Sequence, residues 1–144
     1  MTTTPTPDHS TADEAAPATP SPSEYVVLLY ADEAAWLAAS PEEQAAVFSQ
    51  HERFSTRCEE RGHRITGGAE LRPSSTARLV RRDAAGFPTV TDGPYAETVE
   101  RFGGYYLVES SDVDDLAALV TELLEPGETA EIRATTNDVD GQGA

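Results

Sequence analysis

The first sustained apolar stretch, EYVVLLY, is a nearly unbroken β-branched and aromatic run over residues 25–30, the pattern of a central strand rather than a one-sided edge strand. After a linking segment, ADEAAWLAA, the string SPEEQ supplies Ser40 as helix cap, Pro41 at the first helical position and Glu43 three residues after the cap. Val47, His51, Phe54 and Cys58 follow at steps of four, three and four, one stripe of a helix with Phe48 at its border, and Gly62 ends it. HRITGGAEL reads as a second strand interrupted by Gly67 and Gly68, where a bulge or a close backbone approach is the usual reason for glycine. TARLVRR and FPTVT flank residues 83–86, whose Asp start and Gly end suit a hairpin. GGYYLVES is another strand. Ser111, Asp112, Asp114 and Asp115 mark a helix start, and Val113, Leu116, Ala117, Val120, Leu123 and Leu124 keep helical spacing as far as Pro126. ETAEIRAT supplies the last strand.

Without the hairpin the order is β-α-β-β-α-β, the split βαβ or ferredoxin-like α+β arrangement, in which both helices cover one face of an antiparallel sheet. The opposite face stays open. Strands as apolar as YVVLLY and YYLV leave that face greasy, and the pattern predicts a homodimer closed sheet to sheet.

Composition sharpens the boundaries. Residues 1–23 are Thr, Pro, Ala and Ser with no large apolar residue after Met1, and NDVDGQGA at the end is similar, so 1–23 and 137–144 read as disordered tails around a domain at 24–136. The 144 residues carry 26 acids against ten bases, all Arg, for a formal charge of −16. No stretch gathers the Arg into a basic face, which excludes nucleic-acid binding through phosphate neutralisation. Cys58, the only cysteine, forms no intramolecular disulfide and points to a reducing compartment. No run is long enough to span a membrane and no secretory signal opens the chain, so the expected location is cytoplasmic. His9, His51 and His63 have no metal-ligand spacing, and P-loop, dinucleotide and GxSxG patterns are missing; nothing in the pattern asks for a cofactor.

LLYADEAAW, GGAEL, TDGPYAET and GGYYLVE, in that order and spacing, resemble the YCII-related domain family, in particular its subgroup named for an Asp-Gly-Pro-Phe motif. The likeness runs over residues 25–133, and the motif's Phe is Tyr95 here. The resemblance implies a ferredoxin-like fold that dimerises through its sheets, of the dimeric α/β barrel type. It implies a family mostly without assigned activity, some relatives pairing a His and an Asp as site residues, and a subgroup often associated with extracytoplasmic-function sigma factors. By position, His51 corresponds to the family's helix His and Asp92 to the Asp.

Two readings stand at each candidate residue. His51 lies on the apolar stripe, either as a general base with a carboxylate partner or as a hydrogen-bonded core residue. Asp92, Gly93, Pro94, Tyr95 and Glu97 form either a binding turn or ordinary turn chemistry. Tyr30, Asp32 and Trp36, at the exit of the first strand, either wall a pocket or seal the end of the sheet. The expected function is a small-molecule-binding or cofactor-free acid/base module using His51 and Asp92, with a regulatory protein working beside a sigma factor as the alternative.

Overall fold

A computed structural model describes residues 21–95 and 100–138. The elements are β1 (Ser23–Asp32), α1 (Glu33–Ala38), α2 (Pro41–Glu60), β2 (Arg64–Glu70), a single 3-10 turn (Ser74–Thr76), β3 (Arg78–Arg82), β4 (Pro88–Asp92), β5 (Glu100–Ser110), α3 (Val113–Thr121) and β6 (Thr129–Asp138). Four strands form a sheet in the order β2-β5-β1-β6, every neighbouring pair antiparallel, while β3 and β4 pair only with each other. Order and direction are those of the split βαβ arrangement, with the hairpin inserted between its second and third sheet strands.

Local chemistry sets the long helix. Ser40 Oγ accepts the Glu43 N–H at 3.1 Å while Glu43 Oε1 accepts the Ser40 N–H at 2.8 Å, a reciprocal cap that fixes the start of α2. At the other end Gly62 takes φ +85° and the His63 N–H reaches back to the Cys58 carbonyl at 2.8 Å. That closure needs a residue tolerant of left-handed backbone, and it turns the chain inward at His63.

Alternation along β1 and β5 sends Tyr25, Val27, Leu29, Tyr106 and Val108 toward the helices. Val27 and Val108 meet Phe54 and Cys58 of α2 and Leu116, Leu119 and Val120 of α3, with Leu123, to make the core. Burying each such side chain contributes about 1.5–3 kcal/mol. The opposite face carries Val26, Leu28, Tyr30, Tyr105 and Leu107 by the same alternation, and Phe102, which the register shift between Leu29 and Tyr30 sets opposite Tyr30; Glu24, Glu109 and Glu131 border it, and neither α2 nor α3 packs on it.

The glycine pairs act where β2 meets β5. The register shifts between Ile65 and Gly67 on one side of β5 and between Leu29 and Tyr30 on the other, so both pairs lie beside bulges. A Cβ on Gly68 would sit 2.6 Å from the Tyr105 carbonyl oxygen, and one on Gly104 would sit 2.9 Å from that of Ala69. Close approach of the two backbones is the physical reason for glycine at these positions.

Several boundaries differ from the pattern reading. ADEAAWLAA is not a bare link: Asp32 accepts the Ala35 N–H at 3.0 Å and caps the short helix α1. α3 ends at Thr121 and continues to Leu124 in tight i to i+3 turns, stopping short of Pro126. β6 runs on to Asp138, past residue 136, because Glu24 Oε1 holds Thr135 and Asn137 at 2.8 and 2.9 Å. The arginines are also less evenly spread than composition suggests, since Arg78, Arg81 and Arg82 all lie on β3 of the hairpin, with Arg72 six residues before it. Of the tails, residues 1–20 and 139–144 lie outside the described residues.

Candidate functional site

His51 sits midway along α2, half-buried and facing the sheet, as its place on the apolar stripe implies. Its Nδ1 lies 2.6 Å from the Tyr106 hydroxyl, 55 residues away on β5. Tyr106 reaches this position because its ring lies over Gly68: a Cβ there would come within 3.1 Å of the ring. Phe54, one turn further along α2, packs on the other part of the tyrosine ring at a centroid distance of 5.2 Å. The glycine in β2 and the phenylalanine in α2 thus fix where the phenol points.

The electrostatics favour neutral partners. Burial pushes the His51 imidazole below its usual range, with the carboxylate of Glu70 pulling the other way. Burial pushes the Tyr106 phenol up, with a smaller contribution from Cys58. Glu70 ends β2 opposite Gly104, on the helix side of the sheet. A neutral imidazole and a neutral phenol leave one hydrogen between them and one N–H or O–H pointing onward, so the pair can take up a proton at one end and release one at the other. Nε2 of His51 has no hydrogen-bond partner among the described residues.

Asp92, the partner expected for His51, ends β4 in the two-stranded sheet, exposed and opposite Arg78. No hydrogen bond or ion pair joins it to His51 among the described residues; the imidazole's partner is Tyr106. Gly93 takes φ +109° and donates its N–H to the Ala77 carbonyl at 2.8 Å, closing the base of the hairpin. Pro94 is half-buried, and the ring of the exposed Tyr95 lies beneath the Arg81 guanidinium at 5.6 Å. Glu97 lies outside the described residues. Tyr30 faces the open side of the sheet, away from His51, and packs on Phe102 at 5.7 Å. Asp32 caps α1, while Trp36 meets Phe48 edge to face at 5.7 Å and its carbonyl accepts from Gln44 Nε2.

A second histidine, considered in the sequence only as a metal ligand, is more deeply held. His63 is 4% exposed; its Nδ1 lies 2.8 Å from Ser110 Oγ and its Nε2 lies 2.7 Å from Asp115 Oδ2. The Asp115 carboxylate can only accept, so the imidazole donates to it from Nε2; a ring carrying its hydrogen there accepts at Nδ1 from the Ser110 hydroxyl, whose oxygen also accepts the Asp112 N–H at 3.0 Å. Arg61 pairs with the same carboxylate. The hydrogen bond from His63, with help from Arg61, holds Asp115 below the usual carboxylate range. Residue types and sequence of contacts resemble a nucleophilic triad, but Ser110 is 1% exposed and its hydroxyl is held between His63 and the Asp112 N–H. The cluster is a clamp joining the end of α2, the end of β5 and the start of α3. A shallow concavity of about 480 Å³ beside it is lined by Ser55, Glu59, Gly62, His63, Arg64 and Ile65. Its two lining residues on α2, Ser55 and Glu59, lie about 6 and 12 Å along the helix from His51 at 1.5 Å per residue, and the one imidazole it touches has both nitrogens engaged.

Among the described residues, no group of three or more His, Cys, Asp or Glu could hold a metal ion, and no helix is long and apolar enough to cross a membrane. The YCII-related domain model matches residues 23–125, which spans β1 through the turn after α3 and includes both histidine sites. The chain belongs to the YCII-related domain family. It is also 33% identical over 99 residues to an uncharacterized protein of Rhizobium meliloti (strain 1021), an alignment that covers 69% of this chain and 78% of that one.

Proposed function

We propose that this YCII-related protein binds a small molecule beside His51 and transfers a proton on it, with His51 as the acid/base group and Tyr106 as its hydrogen-bonded relay. The 2.6 Å contact between His51 Nδ1 and the Tyr106 hydroxyl carries this reading. A neutral imidazole near physiological pH is a competent base, and the neighbouring Glu70 carboxylate stabilises the imidazolium that forms when it takes up a proton. Tyr106, with Glu70, thereby takes the place beside His51 that the resemblance assigns to an aspartate. Proton transfer of this kind uses side chains alone.

The test is a thermal-shift screen of small metabolites on the wild type, His51→Gln and Tyr106→Phe, with circular dichroism to show that all three fold alike. A ligand that binds only the native protein raises its apparent stability by mass action. The expected result is a metabolite whose stabilisation disappears in His51→Gln and weakens in Tyr106→Phe; stabilisation equal in all three proteins moves the site elsewhere.

In the same reading a second copy of the chain covers the open sheet face, supported by the contiguous apolar strip of Val26, Leu28, Tyr30, Phe102, Tyr105 and Leu107. The Asp92-Gly93-Pro94 turn ahead of an aromatic residue supports placement in the Asp-Gly-Pro-Phe subgroup.

A further inference from the structure

The hairpin is the part of the molecule that the site at His51 leaves unexplained. Its tip is rigid: Asp83 Oδ1 accepts the N–H groups of Ala85 and Phe87 at 2.9 and 2.8 Å, and Gly86 takes φ +94°. Its strands are five residues each, so the arm projects about 17 Å at the usual rise per residue. Pairing places Val80 opposite Val90, Arg82 opposite Pro88 and Arg78 opposite Asp92, so one face of the arm carries Val80, Val90 and Pro88 between Arg82 toward the tip and Arg78 with Asp92 at the base. Val80 is 68% exposed, Val90 59% and Phe87, at the tip, 67%. Apolar residues placed this way on a rigid arm, with no core of their own, mark a contact surface.

Charge says which contact. Residues 72–92 hold four of the ten Arg and only two of the 26 acids, so the remainder of the chain is acidic. Among the described residues, Arg72, Arg78, Arg81 and Arg82 make no ion pair, whereas Arg57, Arg61, Arg64 and Arg133 are all paired. The open sheet face presents an apolar strip bordered by Glu24, Glu109 and Glu131; Arg64 and Arg133 each approach one oxygen of Glu109 and Glu131 at 3.5 Å, and Thr135 and Asn137 share one oxygen of Glu24, so each carboxylate keeps a second oxygen for a further partner. A duplex nucleic acid would also meet an arginine-bearing ribbon, but the acidic body would repel its phosphates.

We propose that the β3–β4 arm of one copy docks on the open sheet face of a second copy, seating Val80, Val90 and Pro88 on its apolar strip and Arg78 and Arg82 on its acidic border. This rests on a second copy covering that face and adds the element that reaches across. It is independent of the chemistry at His51.

The experiment is sedimentation equilibrium on the full chain, wild type against Val80→Asp/Val90→Asp, Arg78→Glu/Arg82→Glu and Leu28→Asp. It is combined with a benzoylphenylalanine photocrosslinker at position 90 mapped by mass spectrometry. A wild-type dimer is expected, with dissociation constants raised about tenfold or more in both arm variants. Crosslinks are expected from position 90 to peptides of β1 or β5 in the other copy. Circular dichroism should be unchanged, because the arm's strands pair only with each other. A monomeric wild type overturns the proposal together with the second-copy reading. A dimer broken by Leu28→Asp but untouched by both arm variants overturns the arm's role and leaves sheet pairing standing. Crosslinks confined to the arm's own copy, or to added duplex DNA on a monomer, overturn it as well.

Discussion

Ser110→Ala removes a single oxygen from the clamp around His63, and the bonds made by that oxygen set the cost. The hydroxyl is 1% exposed, donates to His63 Nδ1 and accepts the Asp112 N–H, so its loss deletes two hydrogen bonds and strands a nitrogen of a 4% exposed imidazole. A typical hydrogen bond contributes about 0.5–1.5 kcal/mol net, and a buried group left without its partner costs about 1–3 kcal/mol. Allowing for overlap between the two effects, the expected destabilisation is about 2–3 kcal/mol, or a fall in Tm of roughly 8–15 °C for a domain of this size. Urea and thermal unfolding followed by circular dichroism at neutral pH measure it, with the urea slope unchanged if only stability has moved. His63→Leu and the double variant complete a cycle, whose coupling should be about 1 kcal/mol or more because the two groups share a bond. A loss below about 0.5 kcal/mol for Ser110→Ala, or strict additivity in the double variant, refutes the clamp. Asp115 adds a pH signature: its folded value is lowered, chiefly by the His63 hydrogen bond, so its contribution is present above the ordinary carboxylate range and lost as pH falls through the lowered value. His63→Leu should flatten that acid loss.

Burial lowers the folded pKa of His51, so its contribution to stability is full above the unfolded value of about 6.5 and is lost as pH falls through the folded one; an NMR titration should place its midpoint below 6.5, and His51→Gln should remove that slope from the stability profile. Burial pushes the Cys58 thiol up to about 11, so iodoacetamide at pH 8 should label Cys58 only after denaturant is added; rapid labelling of the native protein would contradict its place in the core. Gly68→Ala places a Cβ against the Tyr105 carbonyl oxygen and the Tyr106 ring, and should cost about 1–3 kcal/mol while shifting the His51 titration. Gly103→Ala, with nothing within 4 Å of the added carbon, should leave that titration unchanged.

The parts of the fold written in local chemistry were legible in the chain. Ser40, Pro41 and Glu43 mark the start of α2 because capping is settled within four residues, and Phe54 and Cys58 name its buried face because helical spacing is a property of the segment alone. The glycine pairs announce bulges for the same reason. The partner of His51 was not legible. Tyr105 and Tyr106 are adjacent and chemically alike, and which of them faces α2 depends on the registry of β5 between β1 and β2, set by contacts distant in sequence. An Asp in a conspicuous turn drew the expectation instead, yet that turn closes the base of an arm that forms its own small sheet. His63 was readable in principle: a glycine ending a helix in left-handed backbone turns the second residue beyond the cap back against the helix, and that residue is His63.

The proposed role of His51 rather than His63 rests on one criterion, the number of ring nitrogens already engaged. At His63 both are, one by a buried hydroxyl that also accepts the Asp112 N–H and one by a carboxylate shared with Arg61, so moving a proton there would disturb the joint between α2, β5 and α3. At His51 only Nδ1 is engaged, by a phenol that keeps its proton, and the ring is half-buried rather than enclosed. A base must be able to gain a proton without dismantling its own support. His51 can, because the phenol oxygen accepts from an imidazolium as readily as its hydroxyl donates to an imidazole, and Glu70 offsets the charge that results. The same arrangement explains why Gly68 stands opposite Tyr106: any larger residue would lift the phenol away from the nitrogen it serves.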